Sequence, residues 1–402
     1  MAKFTAPKRG KQRAGMKPAP MKCRKPAAAA SVKYVRAGAP TVKFRLERQK
    51  WKRNLADFFM KSDLEMEKML MEDRFLFDQE GRKCPYCGKG RMGPLRERET
   101  SIGKVHTNRC GHGKTCGRAM RLHHCHPLFE NASGQSYTAL WFQAVILLML
   151  LAGCGAKAIC LLLGANHKVV ERMKGKLHVL QKRYVEIAEA EVRFGGSSGW
   201  TDVEVDEAVF RNEVYTDTDG KQKKAWEQWA GCVQRGAPQT LVLWKTHSSR
   251  TVVRAPGPGA IKKSDWLPFA RERLSNRNII LHSDGAKSYR CKVPGMLHDR
   301  AIHVAKSVKV GRKRLRLRPV YSQVRTHTLP NGRKLKVKTG TQIIDRAWQF
   351  IKKHIGQSHY RVDSRAMTAT IRSAQWSYWH RHQDQWNAVG ELVDWDFRKS
   401  FV

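Results

Sequence analysis

"TDVEVDEAVF", residues 201–210, reads as a strand in which carboxylates alternate with apolar residues. Val203, Val205, Val209 and Phe210 are the apolar positions, and Asp202, Glu204, Asp206 and Glu207 lie among them. The 402-residue chain has 34 acids against 77 lysines and arginines, a formal net charge of +43, so acids crowded on one strand need a reason. On strict alternation Asp202, Glu204 and Asp206 share a face opposite Val203 and Val205, and Glu207 points to the other side. Glu207 is therefore expected to be a local structural carboxylate.

Downstream, "AWEQWAGCVQR" (225–235) and "TLVLWKTH" (240–247) read as further strands. "KSDWLPFARERL" (263–274) reads as a helix and "NIILHSD" (278–284) as a strand. Three strands, a helix and a fourth strand predict a mixed α/β sheet. Asp284 ends the fourth strand, where "HSDGAKSY" turns out of the sheet. Asp345 stands near the start of "TQIIDRAWQFIKKHI" (341–355), an amphipathic helix with Ile344, Trp348 and Ile351 on one face. Carboxylates at strand ends of such a sheet converge where ligands bind. Three oxygen ligands suit Mg²⁺ or Mn²⁺, which can activate a water or a 3′-hydroxyl and stabilise a leaving oxygen. Singly, each acid has a plainer reading: Asp206 as one of several solvent-facing acids, Asp284-Gly285 as a turn, Asp345 as a helix-start acid.

Upstream, "FGGSSG" (194–199) is a linker, and residues 136–192 are helical by pattern. The stretch 139–165 is apolar enough to raise the membrane question, but Gly153, Gly155 and Lys157 interrupt it, which predicts two buried helices. "GAN" then joins an apolar helix to a basic one over 167–180, the pattern of a helix-turn-helix. His167, Lys168, Arg172 and Lys176 are its candidate DNA-facing residues, the last three spaced four apart on one face. An ordinary helical hairpin would show the same pattern.

"CPYC" places Cys84 and Cys87 at the spacing of a zinc knuckle. The second ligand pair stays open: Cys116 with Cys125 is the leading choice, with Cys110, His112 and His123 as alternatives. Cys110 and Cys116 are far apart for a ribbon knuckle. Ten cysteines placed so unevenly indicate reduced thiols rather than a secreted disulfide framework. Residues 1–50 hold 15 lysines or arginines and one acid, a composition expected of a disordered basic tail. Residues 51–79 read as a helical segment. "HVAKSVKVGRKRLRLRPV" (303–320) holds seven basic residues and no acid, and Arg314, Arg316 and Arg318 alternate as on a strand presenting a basic face. Arg333 to Lys338 is a second basic stretch. So large a positive charge favours nucleic acid as partner. No apolar signal core opens the chain, so an intracellular location is expected. The Ala/Pro/Lys tail tilts that expectation toward a nucleus over a bacterial cytoplasm.

Over roughly residues 80–390 the chain resembles the transposases of the IS1595 family, also described as ISXO2-like. "CPYC" and "CHPLF" (125–129) look like the two ends of that family's zinc ribbon, and the helices that follow look like its helix-turn-helix region. "VEVDEAVF" is similar to its first catalytic strand, "HSDGAKSY" to its second catalytic segment and "TGTQIIDRAWQFIKKHIG" to its third. The resemblance implies an RNase H-like catalytic core over 200–390, behind a zinc ribbon at 80–130 and a helical region at 136–192. It implies metal-dependent DNA cleavage and strand transfer, with Asp206, Asp284 and Asp345 as acids, Gln342 as the preceding polar position and Lys352 at the phosphate. Terminal inverted repeats, target DNA and a second copy of the chain would be the partners. Three departures stand out: the family has Glu where this chain has Asp345, Asn or His where it has Gln342, and a Cys where it has Leu122.

Overall fold

The computed structural model describes residues 51–399 apart from 60, 101–102, 131–137, 197–198, 302–305, 312, 318–320 and 357–359. The basic tail and Arg318 lie outside the described residues. Helix α1 (Asp63–Glu72) starts at a capping box, in which Ser62 and Glu65 satisfy each other's backbone N–H groups. Three antiparallel strands follow, in the order β1 (Arg96–Thr100), β2 (Gly103–Arg109), β3 (Ala119–Arg121). Glu67 of α1 ties to this small sheet by accepting from the His106 N–H at 2.7 Å and pairing with Arg121 at 3.0 Å.

The apolar stretch forms two helices, α2 (Leu140–Leu151) and α3 (Ala156–Leu163), separated at Gly153, whose φ of 83° no helix continues. No described helix is long and apolar enough to cross a membrane. α2 is buried along most of its length. α3 differs from the expected second buried helix: Ile159 is buried, but Leu161 and Leu162 are 75% and 72% exposed. Gly164 ends α3 in the left-handed conformation, and Asn166 caps α4 (His167–Glu191) by accepting from the Lys168 N–H at 2.9 Å. The turn is the one read from "GAN". The second helix, however, does not stop at 180: it runs 25 residues, because nothing between 180 and 191 breaks it.

The large sheet comprises β4 (Thr201–Thr216), β5 (Gln222–Gln234), β6 (Ala237–Lys245), β7 (Ser249–Val252), β8 (Ile279–Ser283) and β9 (Met296–Arg300). Its order is β6-β5-β4-β8-β9, with β7 also on β5. The first three strands form an antiparallel meander; β8 runs parallel to β4 and β9 parallel to β8. Helix α5 (Lys263–Arg273) supplies the crossover to β8 and covers one face, where Val203, Val205 and Leu281 meet Trp266 and Ala270. Two hairpins come next, β10 (Lys306–Val310) with β11 (Lys313–Leu317), then β12 (Val324–Thr328) with β13 (Lys334–Lys338). Arg314 and Arg316 fall on β11. Helices α6 (Gln342–Ile355) and α7 (Arg365–Trp379) cover the other sheet face, where Ile344, Trp348 and Ile371 meet Ala208 and Trp229.

The middle of α4 packs on α7 through His178–Thr370 and Gln181–Ser373 hydrogen bonds, joining the helical region to the sheet. The last helix, α8 (Gln385–Lys399), returns to the N-terminal helices, burying Trp386, Val389 and Leu392 among α1, α2 and α4. There the Trp386 indole donates to buried Asp73 at 2.9 Å, which also pairs with Arg53 and Lys52.

Candidate metal sites

Strand β8 pairs with β4 only as far as Glu204↔His282. Two residues beyond that pair each strand carries a carboxylate, Asp206 on one and Asp284 on the other. β8 leaves the sheet at Asp284, and Gly285 makes the turn at φ 99°. β4 continues, with Asp206 opposite Gly231 of β5 and β8 no longer beside it. Where a neighbour strand ends, nothing separates the two faces of the strand that goes on. Glu207 from the opposite face therefore reaches the same space: Asp206, Glu207 and Asp284 each place a carboxylate oxygen within 4.8 Å of the others. This corrects the expectation that Glu207 stands apart. Alternation assigns a side chain to a face, but only a flanking strand keeps the faces apart.

Burial first, then the charges of Glu207, Asp345 and Asp284, push the Asp206 carboxyl up to about 8. Burial and Asp284 push Glu207 up to about 7, although the Tyr289 hydroxyl donates to it. Asp284 is exposed, so the cluster opens to solvent on that side. Three crowded carboxylates, two of them largely desolvated, are a donor set that a divalent cation fits and stabilises.

Asp345 lies in the first turn of α6, close enough to act on Asp206, but it is not among the three mutually close carboxylates. Two contacts bring its helix down onto the sheet. Trp348 lies over Gly231, where a Cβ would meet the indole at 2.6 Å. Glu204 caps the helix: one oxygen accepts from the Ile343 and Ile344 N–H groups at 2.6 and 3.0 Å, the other from Arg235 Nε at 2.6 Å. A carboxylate at a helix N-terminus also meets the positive end of the helix dipole. Glu204→Ala takes from Arg235, which is 5% exposed, its closest carboxylate and leaves it only Asp202 at 4.0 Å as an ionic partner among the described residues. The substitution is expected to cost about 3–5 kcal/mol in urea unfolding. A loss below about 1 kcal/mol, the size of an exposed pair, would contradict the capping role.

Asp202 also has a role away from the cluster. It accepts from His282 Nε2 at 2.8 Å, and His282 Nδ1 meets buried Asp299 at 3.0 Å. The Gln342 amide donates to the Tyr321 carbonyl at 3.3 Å. Lys352 shares the face of Asp345 but lies two helical turns on, about 10 Å along the axis.

The thiols assemble differently from the leading expectation. Cys84, Cys87, Cys110 and Cys116 place their sulfurs within 4.8 Å of one another. Cys125 is exposed, at a positive φ of 58°, and lies outside the group, as do His112 and His123. The long Cys110–Cys116 gap closes because Gly113–Thr115 winds into a 3-10 turn between them. Gly90 lets the first knuckle approach, since a Cβ there would meet the Cys110 sulfur at 2.5 Å. Tetrahedral Zn–S bonds of about 2.3 Å set sulfurs about 3.8 Å apart. Cys84–Cys116 and Cys87–Cys110 are each 3.8 Å apart, so the cluster fits one Zn²⁺. The Gly90 N–H on its sulfur leads the effects that draw the Cys87 thiol down to about 6. His123 is buried, and burial lowers it to about 3. Leu122 is a core residue of the helical region.

On α4, Arg172 and Lys176 share a face as their spacing requires, and both reach Glu130, at 3.3 and 3.1 Å. His167 lies 3.9 Å from Glu171, and Lys168 is exposed. Alternation puts Glu207 on the wrong side and does not disclose the capping role of Glu204, whereas Cys110, an alternative ligand by sequence, is one of the four. The glycines of "RCGHGKTCG" were the available signal for Cys110, since they permit a tight turn between distant ligands. No family model, no curated protein and no solved structure matches the chain.

Proposed function

We propose that the chain is a metal-dependent DNA transposase similar to the IS1595 family, with an RNase H-like catalytic core. One observation carries the reading: Asp206, Glu207 and Asp284 meet where β8 leaves β4, with Asp345 beside Asp206 on a helix capped from the same strand. The sheet's antiparallel meander continued by parallel strands supports the RNase H-like assignment. Bound Mg²⁺ or Mn²⁺ would polarise a phosphodiester and activate a water or 3′-hydroxyl. Asp206, Glu207 and Asp284 would hold it, and Asp345 would add charge from α6. Tyr289 orients Glu207 through its hydroxyl, and Glu204 sets the height of Asp345 above the sheet. Zn²⁺ on the four cysteines would be structural, because all four donors come from protein and no position stays open for substrate.

The substrates in this reading are terminal inverted repeats and target DNA, handled by more than one copy of the chain. The full chain, Mg²⁺ and a duplex carrying the inverted repeats that flank its coding sequence should yield nicked and joined products on a denaturing gel. Intact binding of that duplex with no cleavage in either metal would overturn the catalytic reading. It would favour the second one, a non-catalytic DNA-binding descendant, for which the position of Asp345 outside the three-carboxylate group speaks.

A further inference from the structure

Of the two hairpins inserted between β9 and α6, the second, β12–β13, has two faces of unlike character. Register sets Arg325 opposite Val337 and His327 opposite Leu335 on one face. This face is anchored. Val337 is buried, Arg325 donates to Asp299 at 3.2 Å and to the Arg300 carbonyl at 2.7 Å, and His327 lies 3.4 Å from Asp299. The other face carries Thr326 opposite Lys336 and Thr328 opposite Lys334. All four are exposed, and the two lysines form no ion pair among the described residues. Across the ladder each lysine meets a hydroxyl where an acid would have neutralised it. Exposed Arg333 extends the charge to the Asn331-Gly332 turn.

The hairpin is also tied to the carboxylate site. Arg235 donates to the Lys338 carbonyl at 2.6 Å and to the Gly340 carbonyl at 2.7 Å, and its Nε donates to Glu204. One buried guanidinium thus links the base of β13 to the residue that caps the helix of Asp345. A ligand held on the exposed face would stand at a set position relative to the carboxylates.

We propose that Lys334, Lys336, Thr326 and Thr328 grip the sugar-phosphate backbone of duplex DNA and fix its position at the carboxylate site. Lysine charges and threonine hydroxyls are the groups that contact phosphates without reading bases. The proposal rests on the DNA reading above and adds the surface that positions the strand.

The test is binding of a labelled mixed-sequence DNA duplex by the full chain over a range of salt, without divalent cations and in an Asp206→Asn background. Lys334→Ala with Lys336→Ala should lower the slope of log Kd against log salt by about 0.9 for each lysine removed. The weakening should be the same on unrelated sequences. Lys334→Arg with Lys336→Arg should keep the original slope, which separates lost charge from misfolding. An unchanged slope in the double alanine variant would overturn the proposal and leave the cleavage reading standing. Absence of duplex binding by the parent chain would overturn both. If phosphatidylglycerol vesicles or duplex RNA bind more tightly than DNA and lose that affinity in the alanine variant, the assignment to DNA is overturned.

Discussion

Asp206→Asn should abolish metal-dependent DNA cleavage and at the same time stabilise the metal-free protein. The two effects have one source. The Asp206 carboxylate is half-buried beside Glu207, Asp284 and Asp345, an arrangement suited to a cation and unfavourable without one. If Asp206 holds the metal as proposed, its loss would remove a contribution of several kcal/mol, so the rate should fall by roughly a thousandfold or more. The stability effect depends on pH, and its sign follows from the raised carboxyl. With a folded value of about 8, Asp206 binds its proton more tightly in the native chain than in the unfolded one. The unfolded value is about 3.9, so the metal-free protein loses stability from this group as pH rises through roughly 4 to 8. Asn does not titrate. The advantage of Asp206→Asn in thermal unfolding should therefore be small near pH 4 and grow to a few kcal/mol near pH 8. Added Mn²⁺ should raise the melting temperature of the parent chain at pH 8 and leave the variant nearly unmoved. A variant as active as its parent, or a gain that shrinks as pH rises, would refute this account of the site.

Cys110→Ser and Cys125→Ser should behave oppositely. Cys110 is one of four sulfurs gathered within 4.8 Å, and Cys125 is exposed outside them. Structural zinc contributes about 10–16 kcal/mol of binding free energy in small zinc modules, and here it would hold β1–β3 to their two knuckles. Cys110→Ser should therefore copurify with sub-stoichiometric zinc and show cleavage by protease across the ribbon. Cys125→Ser should keep one zinc per chain by metal analysis. Loss of zinc from the Cys125 variant would instead place Cys125 among the ligands. The residual fold should survive ribbon loss, because α1, α2, α4 and α8 share a separate core.

These expectations show where the sequence was legible. The strand–strand–strand–helix–strand order appears in the sheet because each element has its own period and its own breakers. Asp206, Asp284 and the helix of Asp345 are legible because strand ends and amphipathic starts are local features. The "GAN" turn is legible for the same reason: a left-handed glycine and an asparagine cap act over a few residues. The end of α4 is partly legible: no glycine or proline interrupts 181–191, and α7 holds that end through Arg372 and Gln375 on Glu189.

The acids of "TDVEVDEAVF" show the division most clearly. Sequence alone determined that 201–210 is a strand with aliphatics on one face and that its acids need partners in so basic a chain. Tertiary structure decided which partners. Asp202 meets His282, Glu204 meets Arg235 and the start of α6, and Asp206 and Glu207 meet Asp284. Glu207 joins the cluster only because β8 ends before it, and Cys110 joins the thiols only because a 3-10 turn closes a long gap. Period and propensity act between near neighbours, whereas ligand sets form between residues up to about 80 positions apart, such as Asp206 and Asp284. Their meeting depends on where each strand stops, which pairing and packing settle together.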